Sequence, residues 1–166
     1  MKNSALAAAL LACLSTASAA SAACDESGLK TYGELDAALS TKAVEAITLA
    51  SAPGGAGESR LQHLIAPSAP FALGAGDVGN PLGEGIVGAR ALARAMNADS
   101  FRYFAWSGIP TPVSDPCGKR EVQVEFVNSG SHNAFPLTFQ FESGHIVSVR
   151  GWTQWIVTGP IRRTRD

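Results

Sequence analysis

From residue 42 to 50 the run KAVEAITLA sets Val44, Ile47 and Leu49 toward one side, with neither glycine nor proline inside, and the spacing predicts a helix. Residues 24–42 are more mixed. Leu35 and Leu39 stand four apart there and predict a short helix of their own, with Tyr32 near its start. Residues 51–57, SAPGGAG, form a breaker cluster. Helical periodicity resumes over 58–66 through Leu61, Leu64 and Ile65, until Pro67 stops it. Residues 71–85 are rich in glycine and read as a loop. A third helix is expected over 86–96, apolar at Val87, Ala91, Leu92 and Ala95, with Asn97 at its end.

After Asp99 the period changes. Strands are expected at 101–106, 121–127, 135–141 and 145–157. Val122, Val124 and Phe126 alternate with Glu121, Gln123 and Glu125, while Phe135, Leu137, Phe139 and Phe141 alternate with Pro136, Thr138 and Gln140. A period of two with one apolar set marks a sheet that buries one face. Glu142-Ser143-Gly144 reads as a tight turn, and 110–118 as a longer connection. Helices first and an antiparallel meander second give an α+β class, with the helices packed on one face of the sheet.

The chain has 166 residues, 46% of them apolar and 16% charged, which suits one domain with a substantial core and excludes a disordered tail protein. Thirteen Lys and Arg against fourteen Asp and Glu give no basic excess, so no nucleic-acid partner is expected.

The first 23 residues, MKNSALAAALLACLSTASAASAA, carry Lys2, an apolar run over 5–14, and small residues at Ala-x-Ala spacing. That is the pattern of a secretory signal peptide, too short to span a membrane, and no later stretch is long enough to be a transmembrane segment. A secreted or periplasmic location follows. The alternative takes Leu10-Leu11-Ala12-Cys13 as a lipobox, with the protein anchored as a lipoprotein through Cys13. Cleavage near Ala22 or Ala23 leaves Cys24 and Cys117 as an even pair in an oxidising compartment, which suggests one disulfide. The competing reading is two unpaired thiols. Neither cysteine has a ligand neighbour at zinc-like spacing, so no metal site is expected.

Two stretches resemble the nuclear-transport-factor-2-like (NTF2-like) superfamily, which includes SnoaL-type cyclases and ketosteroid isomerases. The first is helix, breaker, helix, then APSAPFALG at 66–74, similar to the family's junction where the second helix turns into a short strand; Gly88-Ala89-Arg90-Ala91 then resembles the opening of its third helix. The second is the closing hairpin FQFESGHIVSVRGW at 139–152. The resemblance implies a curved antiparallel sheet wrapped around about three helices, a cone with a cavity open at one end. On that basis 43–160 form the domain, 24–42 an N-terminal extension and 161–166 a basic tail. The inner wall is then expected to carry Val124, Phe126, Leu137, Phe139 and Phe141, with Trp155 or Trp152 near the rim, the competing reading being a dry core.

The isomerases of this family use a carboxylate base and an oxyanion hole. The corresponding positions fall at Leu73, Glu45 and Leu137, and all three depart from the pattern. Asp77 is the one carboxylate near the expected mouth, so a catalytic reading (isomerase, cyclase or dehydratase) rests on it as general base. The preferred expectation is a binder of a small apolar ligand or a protein partner, without a cofactor. A third reading is a homodimer acting through the outer sheet face. Residues 74–79 match G-x-G-x-x-G literally, but no strand–helix context follows to receive a pyrophosphate. His63, His132 and His145 are scattered, and no serine-hydrolase elbow is present.

Overall fold

In the computed structural model, residues 24–75, 78–104 and 110–156 are described. The expected signal segment with Cys13, and also Asp77, Trp106 and the basic tail, lie outside them. A short 3₁₀ turn at Asp25–Gly28 leads into α1 (Tyr32–Ser51), followed by α2 (Glu58–Leu64), β1 (Pro70–Ala75), β2 (Val78–Glu84), α3 (Gly85–Met96), β3 (Ser100–Tyr103), β4 (Arg120–Asn128), β5 (Asn133–Glu142), β6 (His145–Trp152) and β7 (Gln154–Trp155).

The two helices expected before residue 51 are one. Thr31 begins it with a capping box: its Oγ1 accepts from the Glu34 N–H at 3.3 Å, and Glu34 Oε2 accepts from the Thr31 N–H at 3.0 Å. No breaker intervenes before Pro53, so Leu35, Leu39, Ala43, Ala46, Ile47 and Ala50 bury one continuous stripe across the expected boundary at 42/43. The third helix ends where the sequence suggested, with Asn97 in the left-handed region (φ 43°) and its N–H bonded to the Ala93 carbonyl.

The sheet is curved and unclosed, ordered β2-β1-β6-β5-β4-β3, with β7 paired to the start of β5. It is mixed rather than wholly antiparallel, because β1 runs parallel to β6, Phe71 opposite Val149 and Leu73 opposite Gly151. The glycine-rich stretch expected as a loop is largely a hairpin, β1–β2. Glycine and Pro81 are tolerated because β2 is an edge strand, where a missing side chain or N–H costs little. They also let α3 pack close: a Cβ on Gly88 would lie 2.5 Å from the Gly83 carbonyl oxygen. The expected 145–157 strand divides into β6 and β7, and between them the Thr153 N–H bonds to the Gly74 carbonyl.

The inner face of β4, β5 and β6 joins the apolar sides of all three helices in one core. At the β5–β6 turn Ser143 and Gly144 both have positive φ (51° and 76°), the conformation a two-residue hairpin requires. Beside this turn Cys24 and Cys117 form a disulfide, with Cα atoms 5.8 Å apart at a sequence separation of 93. The pairing expected from the cysteine count is therefore present. It ties the N-terminal turn to the connection before β4. That connection is also held by the Tyr32 N–H on the Thr111 carbonyl and by Arg120, whose guanidinium lies 4.5 Å from the Tyr32 ring centre and pairs with Asp36 at 2.8 Å.

Candidate functional site

Strand β3 continues the inner face of the sheet beyond β4. Phe101 lies opposite Phe126 and Tyr103 opposite Val124, so both aromatic side chains share the face that β4 turns to the core. An edge-on contact joins Phe101 to Tyr103 (5.4 Å between ring centres). From Phe101 the rings step inward to Phe126 at 6.4 Å and from there to Phe139 at 6.3 Å. Phe126 and Phe139 are buried, whereas Phe101 and Tyr103 are 46% and 41% exposed. Arg102 between them points to the other face and pairs with Glu125.

The last turns of α1 and α3 meet this aromatic ledge and leave a cleft of about 220 Å³. Ile47, Thr48 and Ser51 come from α1, Ala93 and Met96 from α3, Ala98 and Asp99 from the turn into β3, Ser100 and Phe101 from β3 itself, and Phe126 from β4. The turn is fixed from several sides. Asn128 Nδ2 donates to the Met96 carbonyl at 3.2 Å, the Asp99 N–H donates to the Val127 carbonyl, and Asp99 Oδ2 accepts from the Ser129 N–H at 2.9 Å. Asp99 Oδ1 accepts from the hydroxyls of Ser129 and Ser100, each at 3.0 Å. These donors, the Ser129 backbone N–H foremost, hold the Asp99 carboxyl below the ordinary aspartate range. The rim of the cleft therefore carries a fixed negative charge next to exposed rings.

A second surface hollow of about 490 Å³ lies between α2 and the start of α3, lined by Gln62, Ile65, Pro67 and Glu84 through Val87. Near it, His145 Nδ1 lies 2.8 Å from the His63 carbonyl oxygen, so two histidines far apart in sequence adjoin in space. Among the described residues no three His, Cys, Asp or Glu side chains converge as a metal cluster.

Of the residues expected to line the cavity, Val124, Phe126, Leu137, Phe139 and Phe141 do converge, all enclosed in the common core. Only Phe126 among them also lines the cleft. Trp155 is 77% exposed on β7, across from Asn133. Glu45, one of the three positions compared above, faces α2 and is held by Arg60 at 2.8 Å, which depresses its carboxyl pKa. The Leu137 position is sealed by packing. Sequence reasoning missed Phe101 and Asp99 as site residues. The alternation in FRYF puts Phe101 and Tyr103 on one face, but which face depends on pairing with β4, which no local pattern sets.

No family model and no curated protein matches the chain. Solved structures do. An NTF-2-like protein of unknown function from Silicibacter pomeroyi is 15% identical, with a TM-score of 0.43 over 71% of this chain and 92% of that one. A phenazine biosynthesis-related protein from Pseudomonas aeruginosa is 15% identical, with a TM-score of 0.39 over 81% and 96%. A de novo designed NTF2-fold protein is 13% identical, with a TM-score of 0.40 over 69% and 82%. Function has to be argued from the site.

Proposed function

We propose that this is a secreted or periplasmic, NTF2-like binding module that holds a small apolar ligand in the cleft between α1, α3 and β3. The observation that carries the reading is the exposed aromatic ledge: Phe101 stands over buried Phe126 at the edge of a pre-formed cleft. Exposed rings on the concave side of a sheet cost solvation free energy that a bound apolar body would recover, and concave, mostly apolar hollows with a few polar groups are the usual form of small-ligand sites. Val124, Leu137, Phe139 and Phe141 then act as the packed wall that keeps Phe126 and the ledge in place. The signal-peptide pattern over residues 1–23 and the disulfide between Cys24 and Cys117 support the location outside the cytoplasm.

Native mass spectrometry of protein purified from its own source tests the proposal. A retained small-molecule mass is expected, and it should be lost in Phe101→Ala while the melting temperature stays within a few degrees. A wild-type protein that carries no adduct, or a variant that keeps it, would defeat the assignment.

A further inference from the structure

The cleft gathers several sources of negative potential beside its aromatic wall. Asp99 is the one charged side chain among its described lining residues, and no Lys, Arg or His among the described residues forms an ion pair with it. Three donors fix its carboxylate in position. Thr48 and Ser51 belong to the last turn of α1, and Ala93 and Met96 to the last turn of α3, so two helix C-termini open on the same space. Each carries the negative end of its helix dipole, that of α3 offset in part by the Asn128 amide on the Met96 carbonyl. The α1 turn has no basic residue to offset that charge, and Arg94 in the α3 turn is exposed and does not line the cleft. The nearest cation on β3, Arg102, is engaged with Glu125 on the opposite face. An aromatic ring beside such a site adds the attraction of its negative π face for a cation.

We infer that the cleft selects an amphipathic cation: an apolar or single-ring body seated on Phe101 and Phe126, carrying an ammonium between Asp99 and the ends of α1 and α3. This rests on reading the cleft as a small-ligand site. At about 220 Å³ it is smaller than the roughly 300–1,000 Å³ typical of drug-sized pockets, so a single ring fits it better than a fused polycycle. The body supplies the apolar contact, and the charge supplies selectivity over neutral and anionic molecules of the same shape.

Three soluble probes of similar shape separate these contributions: 2-phenylethylammonium, 2-phenylethanol and phenylacetate, each titrated into the oxidised protein and followed by backbone amide NMR shifts. The ammonium is expected to bind about tenfold more tightly than the alcohol, with phenylacetate weakest. Asp99→Asn should bring the ammonium down to the affinity of the alcohol. Ser51→Lys places a competing ammonium at the end of α1; it should weaken the cation about tenfold more than it weakens the alcohol, so the selection for charge is tested even where Asp99→Asn perturbs folding. An alcohol that binds as tightly as the ammonium overturns the selection for charge and leaves the apolar-ligand reading standing. No saturable shift at the cleft with any of the three overturns both.

Discussion

Glu26 lies beneath the disulfide with 2% of its surface exposed; Lys42 Nζ pairs with its Oε1, while its Oε2 has no hydrogen-bond partner. Removing the lysine strands a carboxylate in the interior. Lys42→Met should therefore lower stability by roughly 2–4 kcal/mol, and adding Glu26→Met should restore most of that, because a buried pair is costly mainly when broken. Chemical denaturation of the single and double variants reads the difference. Gly144 beside it tolerates no side chain: its φ is +76°, and a Cβ would lie 2.5 Å from Glu26 Oε2. Gly144→Ala is expected to cost about 1–3 kcal/mol. Asp99 makes a pH signature. Its folded pKa is depressed, so its contribution to stability is fully present above the ordinary aspartate value of 3.8 and is lost as pH falls through the lower folded value. Asp99→Asn should flatten the loss of stability below about pH 4, seen as melting curves that converge with wild type in acid.

Among the elements, α3 and the β1–β2 hairpin are closely fitted. Alanine is favoured over glycine in a helix by about 1 kcal/mol, so propensity alone would make Gly88→Ala stabilising. Here the added methyl would meet the Gly83 carbonyl oxygen at 2.5 Å and the Phe71 ring at 2.9 Å. A net loss of roughly 2 kcal/mol is expected by thermal or urea melts. The same hairpin shows why part of the fold was hidden from local reading. β4, β5 and β6 advertise themselves by alternation because one face is buried and the other wet. β2 has the composition of a loop, and its strand form depends on neighbours contributed by β1 and α3. Conversely, the 24–42 boundary misled because Leu35 and Leu39 read as a separate unit, whereas the Thr31–Glu34 cap starts a helix that runs on to Ser51. Of the cleft's residues, Phe126 was legible as inward-facing from the period of two in β4. Phe101 and Asp99 were not, since their roles come from where two helices happen to end.

At the scale of the whole molecule the cystine is the long-range tie, closing a sequence separation of 93 residues. In the chain-entropy account a loop of that length is worth about 4–5 kcal/mol. Cys24→Ser/Cys117→Ser should shift the urea midpoint by a corresponding amount, and added reductant should move the wild type to the same place without affecting the double variant. The other long-range feature is the parallel seam between β1 and β6. Every hairpin in the sheet can zip from its own turn, yet this seam joins a strand made early in synthesis to one made late. Until β6 arrives, the β1–β2 hairpin has no strand joining it to β5 and β4, so completing the sheet waits for nearly the whole polypeptide. A chain built this way completes its sheet late, so its rate of folding is set by how soon those two distant strands meet.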